Sequence, residues 1–243
     1  MWRLMSAPGK RAWRTPTPHL FPARVSGRGF FVYPNAHVAR EPPIIPIPHS
    51  TLTLPKPILF PAMIQPWKTL NRKTVGDFKI FDITIDRKVN PRNDFEHDFY
   101  VLHPPGWVNI VPVTTDGHLV MVEQYRHGSA TIELELPGGV MDPTDESPVH
   151  TAIRELREET GYEGSNARVI GEVFSNPAIM SNKTSTVLIE DCELKHETEL
   201  DEGEDLLTRL IPQDEIDSLA AQGRFGHSLV MAALYHYRLL DGH

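Results

Sequence analysis

An α/β (α+β) fold is predicted by three features of the chain. Runs of alternating apolar and polar residues recur from Phe78 onward, a helix with a signal at each end covers Pro148 to Thr160, and a second apolar-faced helix occupies Ser228 to Leu240. With 40% hydrophobic and 23% charged content over 243 residues, enough apolar side chain is present for a sizeable core.

The chain divides by composition. Residues Met1 to Ala62 hold eight Lys or Arg, a single acid, Glu41, and twelve of the 22 prolines, including the run PPIIPIP. Proline at that density interrupts helices and sheet interiors, so 1–62 is expected to be a disordered or partly polyproline leader and 63–243 the folded domain. Three readings of the leader compete. An Arg-rich, acid-poor start suits a mitochondrial transit peptide, though prolines would break its amphipathic helix; an interaction arm is the second; the favoured third is that translation begins at Met63. The net charge of −8 conceals sixteen basic against thirty-one acidic residues from Met63 onward, a balance that argues against a nucleic-acid partner. No apolar run is long enough to suggest a membrane span, and the lone Cys192 excludes an internal disulfide. A cytoplasmic location is expected, with the mitochondrion as alternative should the leader be a transit peptide.

Strands are predicted at Phe78 to Asp86 and Phe99 to His103, separated by a polar loop, Arg87 to His97. Trp107 to Val113 is more continuously apolar, as a buried strand is. Thr115-Asp116-Gly117 then turns the chain into His118 to Arg126. A further strand, Thr131 to Leu136, leads to Gly138-Gly139, a turn whose bare backbone can offer carbonyls to a metal or N–H groups to a phosphate.

In the helix that follows, Pro148 suits the first turn, Ser147 or Asp145 can cap it, and Gly161 supplies a left-handed terminus. Val149, Ala152, Ile153, Leu156 and Thr160 make the stripe expected to face the core. On the opposite stripe Glu155 and Glu159 are i, i+4 neighbours with Glu158 beside them, an arrangement that repels itself. It reads either as a solvated charged face or as the seat of a hard divalent cation, which takes oxygen ligands. A calcium loop at Asp142 to Glu146 fails on ligand spacing, and His127 and His150 lack partners at zinc spacing.

Glu146 followed, after seven residues, by Arg154-Glu155-Leu156-Arg157-Glu158-Glu159-Thr160-Gly161-Tyr162 resembles the signature box of the Nudix hydrolases, which cleave nucleoside diphosphates linked to another moiety. One departure is present: six residues, Val140 to Asp145, separate Gly139 from Glu146 where the family pattern has five. The resemblance implies a Nudix-type α/β/α sandwich with a mixed sheet and an N-terminal antiparallel strand extension. It also implies Mg²⁺, with Mn²⁺ as a substitute, on Glu155, Glu158, Glu159 and the Gly138 carbonyl, with Arg154 orienting the acids.

Val122 to His127, with Glu133 and Glu135 ahead of the double glycine, is similar to the ADP-ribose pyrophosphatase branch, whose early strands build a homodimer interface. That likeness makes Arg126, Glu135 and Gly139 candidate substrate contacts, although Arg126 can equally hold Glu133 or Glu135 in an ion pair. Strands are predicted at Ala167 to Ser175 and Ser185 to Glu190, with Asn176-Pro177 starting a loop between them. The acidic run Glu197 to Asp205 reads as a solvated loop; it also resembles the branch's mobile loop, which implies Glu202 as catalytic base and Glu204 as a further metal contact. Pro212 to Gln222 is helical by composition.

The implied substrate is a small nucleotide, ADP-ribose giving AMP and ribose 5-phosphate. The alternatives are another nucleotide sugar, a dinucleoside polyphosphate or a nucleoside triphosphate, and, from another class, a Nudix-fold sensor that binds a nucleotide without cleaving it.

Overall fold

The computed structural model describes residues 64–240, so the leader and the choice of a start at Met63 lie outside the described residues. Two sheets are built. The outer one is an antiparallel three-stranded sheet, ordered β1 (Lys68–Asp77), β2 (Asp82–Val89) and β3 (Glu96–His103). It carries two corrections. Residues 78–81, expected to open a strand, make the turn between β1 and β2, where Lys79 adopts a positive φ of 60°. The expected loop Arg87 to His97 shrinks, because Arg87 ion-pairs across the strands with Glu96 at 3.2 Å and Asp98 at 3.1 Å and so sustains pairing in a polar segment. Strand β1 shows no apolar alternation; its register against β2 places Arg72 opposite Asp86, and the guanidinium grips that fully buried carboxylate at 2.6 and 2.7 Å.

The main sheet has seven strands: β4 (Trp107–Thr114), β5 (His118–Arg126), β6 (Thr131–Glu135), β7 (Gly138–Val140), β8 (Tyr162–Phe174), β9 (Lys183–Leu194) and β10 (Leu206–Pro212). Its path runs β10-β5-β4-β9-β8, with β6 on β5 and β7 on β4. Only the β4–β9 pairing is parallel, which makes the sheet mixed. The predicted turn at Gly138-Gly139 is instead strand β7, because two glycines let this backbone lie directly on Val108 and Asn109.

Side-chain alternation divides the core. Val108, Ile110, Val120, Val187 and Ile189 point toward α1 (Pro148–Thr160), meeting Ala152 and Leu156. Val111, Leu119, Met121 and Leu188 point the other way, toward Val230, Ala233 and Leu234 of α3 (Ser228–Leu240). A sheet lies between helices. Leu206–Pro212 pairs along β5 as an edge strand, and the helix expected over Pro212 to Gln222 is shorter: Pro212 ends the strand, a 3₁₀ turn at Gln213–Glu215 follows, and α2 is only Ile216–Ala221. In α3 the apolar face expected at Leu229, Ala232, Ala233, Tyr237 and Leu240 is shifted: the buried residues are Val230, Ala233 and Leu234, while Leu240 is exposed. No helix among the described residues is long and apolar enough to cross a membrane.

Candidate active site

Helix α1 begins and ends where its caps require. Ser147 Oγ accepts from His150 N at 3.2 Å, Pro148 occupies the first turn, and Gly161 closes the helix at φ 73° while donating to Arg157 O. The face it buries differs from the expected stripe. Ile153 is 49% exposed, whereas Glu155 and Glu159, at 9% and 4%, are turned inward beside Leu156 and Thr160. These acids are therefore not a solvated face.

Strand β7 explains how they are accommodated. Gly138 N–H donates to Glu159 Oε2 at 3.0 Å, and the Glu155 carboxylate lies where a Cβ on Gly139 would stand. Burial pushes the Glu159 carboxyl up to about 8 against the pull of the Gly138 N–H, with repulsion from Glu155 and Glu204 added. Burial likewise pushes Glu155 up to about 7 against Arg154, with Glu158 and Glu204 adding repulsion. Two buried carboxylates that destabilise each other's charge are a place where a cation would relieve energy.

Arg154 is the clamp of the cluster. Its guanidinium reaches Glu155 at 2.9 Å, Glu158 at 3.0 Å and Asp145 at 3.0 Å, and also touches the Val140 carbonyl. Arg154 holds Asp145 well below the ordinary carboxylate range, aided by the Asp142 N–H and the Thr151 hydroxyl. The loop with the extra residue is thus folded back on the helix by Asp145, while Glu146 is exposed. Ser147, not Asp145, caps the helix.

The acidic loop is stitched to the same helix end, where Lys195 and His196 N–H groups donate to Gly161 O and Glu199 N–H donates to Glu158 O. Glu204 is the loop carboxylate whose charge is felt by Glu155 and Glu159. Its own carboxylate receives the Asp201 N–H at 3.1 Å, and Glu202 is exposed.

Arg126 answers the question left open by the sequence. Its fork binds Glu135, not Glu133, at 2.8 and 2.7 Å, and its charge lies 5.9 Å from the centre of the Trp107 ring. Burial opposes the Glu135 charge, yet Arg126 and then His227, which approaches at 2.9 Å, hold its carboxyl at about 2. Arg126 and Glu135 line a cavity of about 1350 Å³ whose walls also include Phe81 from the β1–β2 turn, Trp107, Met141 and His227. Glu155 and Glu159 do not line this cavity; they lie behind strand β7, whose Val140 does. His227 was missed by sequence reasoning, because a single histidine ahead of a helix carries no pattern.

Among the described residues no three His, Cys, Asp or Glu side chains stand close enough to cage a metal. The donors nonetheless fit a hard divalent ion, being carboxylate and carbonyl oxygens with Glu155 and Glu159 buried, and Mg²⁺ commonly takes one or two carboxylates plus substrate phosphates.

Comparison with known proteins agrees with this geometry. The NUDIX domain profile matches residues 103–234. The ADP-ribose pyrophosphatase of Bacillus subtilis is 30% identical over 138 residues, 56% of this chain and 74% of that one. The ADP compounds hydrolase NudE of Escherichia coli is 30% identical over 125 residues, covering 50% and 65%, and the mouse ADP-sugar pyrophosphatase is 30% identical over 146, covering 56% and 66%. A crystal structure of an ADP compounds hydrolase superposes with a TM-score of 0.65 at 26% identity, covering 74% of this chain and 96% of that one. From the box helix, the sheet that carries it and these relatives together, the chain belongs to the NUDIX domain family and is a Nudix hydrolase similar to the ADP-ribose pyrophosphatases.

Proposed function

We propose that this enzyme hydrolyses the pyrophosphate bond of ADP-ribose, giving AMP and ribose 5-phosphate, and depends on a divalent cation, Mg²⁺ or in its place Mn²⁺. The observation that carries this reading is the pair of buried carboxylates, Glu155 and Glu159, pressed against the Gly138-Gly139 backbone with their protons held too tightly for an unaccompanied anion. The names of three relatives, an ADP-ribose pyrophosphatase, an ADP compounds hydrolase and an ADP-sugar pyrophosphatase, support the substrate.

Glu155 and Glu159, with Glu158, the Gly138 carbonyl and Glu204, are the groups that would hold the cation. When bound, it would neutralise the diphosphate and polarise the bond to be broken. Arg154 keeps Glu155 and Glu158 oriented through its ion pairs. Gly139 leaves backbone without a side chain beside the acids. Water adds to one phosphorus as the bridging P–O bond breaks, and its proton passes to a carboxylate. Two candidates serve as that base: Glu158, whose side chain is 30% exposed, and Glu202 on the acidic loop. Arg126 and Glu135 shape the cavity that receives the nucleotide. We further propose that two copies pair through the outer sheet β1–β3.

The test is turnover of ADP-ribose, ADP-glucose, GDP-mannose, a diadenosine polyphosphate and a deoxynucleoside triphosphate, each with and without Mg²⁺. Metal-dependent cleavage of ADP-ribose above the others is expected, as is a loss of roughly 10²-fold or more in Glu159→Gln, given several kcal/mol of charge stabilisation from a bound metal. That variant keeps an acceptor for Gly138 N–H and loses the burial penalty, so its Tm without metal should not fall. A folded Glu159→Gln protein with full activity would refute the scheme.

A further inference from the structure

We infer that His227 is a substrate-binding residue, and that its Nε2 receives a hydroxyl of a sugar moiety in the cavity; this rests on the proposed nucleotide-sugar substrate. The inference starts from how the segment before α3 is fastened. Glu133 and Glu135 are i, i+2 residues of β6 and so point to the same side of the strand. Each takes a hydrogen from this segment: Gly226 N–H donates to Glu133 Oε2 at 3.2 Å, and His227 Nδ1 meets Glu135 Oε2 at 2.9 Å. The Glu133 carboxylate stands where a Cβ on Gly226 would be, so that side chain lies directly on the Gly226 backbone. The outcome is a histidine fixed at both its backbone and one ring nitrogen.

The other ring nitrogen is left over. A carboxylate below its ordinary titration range accepts only, so Nδ1 must carry the proton it shares with Glu135. In the neutral ring Nε2 is then an acceptor, and no described residue supplies it with a donor. The ring is partly exposed and lines the cavity together with Arg126, Glu133 and Glu135. Two carboxylates on this stretch of wall disfavour a phosphate and favour groups that donate hydrogen bonds. Among the parts of a nucleotide sugar, the hydroxyls of its sugars meet that requirement.

Asparagine and glutamine separate this role from a structural one. In His227→Asn the side-chain amide can donate from the position of Nδ1 and keep Glu135 satisfied, while nothing reaches the position of Nε2. We expect Tm to match that of the native chain, kcat to hold, and KM for ADP-ribose to rise about fivefold, the size of one lost neutral hydrogen bond. His227→Gln, whose longer amide reaches the Nε2 position, should recover part of that loss. Inorganic pyrophosphate as a competitive inhibitor should bind native and Asn proteins alike. An Asn variant with native KM would overturn the inference and leave His227 as a brace for Glu135. So would equal weakening of pyrophosphate, which would place the contact on phosphate. Should the native chain cleave none of the panel, calorimetric binding of ADP-ribose replaces KM, and the same comparison decides the role of His227 independently of the activity.

Discussion

Glu135 joins fold and site in one side chain. Its carboxyl sits at about 2 when folded, against an ordinary value of 4.5, because Arg126 and His227 outweigh the cost of burial. A carboxyl depressed in this way contributes stability that is fully present above its unfolded value and is lost as pH falls toward the folded one. The window is therefore about pH 4.5 down to about 2. At neutral pH Glu135→Gln should be less stable by on the order of 3 kcal/mol, since Arg126 loses its counter-charge. Thermal melts from pH 7 to 2 check the prediction. The gap between the two proteins should close across the acid window, and a constant gap would show that the ion pair is not its source.

At the scale of elements, α1 and β7 form one unit, and the two glycines of β7 do different work. A Cβ on Gly138 would strike the Val108 carbonyl, which belongs to the central strand and cannot yield; a Cβ on Gly139 would strike only the end of the Glu155 side chain, which can swing. Gly138→Ala should therefore lower stability by about 3 kcal/mol, as overpacking against fixed atoms does. Gly139→Ala should keep its Tm and lose turnover by displacing Glu155, which melting curves and kcat together will show. This unit was half legible from sequence. Pro148 and Gly161 marked the two ends of the helix, with Ser147 one of two offered caps, because caps are local chemistry. Which face was buried was not legible, since Ile153 as an apolar residue and Glu155 as an acid each argued for the opposite of what tertiary contact enforces. Strands β1 and β10 were missed for a related reason: partners hold them in place, Asp86 and β2 for the first and β5 for the second, and neither shows an alternation of its own. The Arg126–Glu135 pair, nine positions apart across the β5–β6 hairpin, was one of two partners the sequence offered, whereas His227 lies outside any local pattern because it meets Glu135 across 92 positions of chain.

For the whole molecule, the outer sheet poses the question of assembly. Phe78 at 53%, Ile80 at 68%, Phe95 at 57% and Tyr100 at 61% leave large apolar side chains in water along β1–β3 and its turns. A self-complementary contact between two copies would cover such a surface. Light scattering on the eluting full chain should give twice the 27.5 kDa of one chain, and a mass of one chain would refute the pairing. The parallel contact of β4 with β9 has a consequence of another kind. Everything between those strands, including β7, the box helix and β8, is enclosed in the loop that this pairing closes. Closing so long a loop costs entropy that the hairpins and helix inside it offset only in part, so this pairing is expected to form late and to limit the rate of folding. During synthesis a nascent chain can hold every residue of the box and still lack the central pairing of its sheet, until β9 has left the ribosome and found β4.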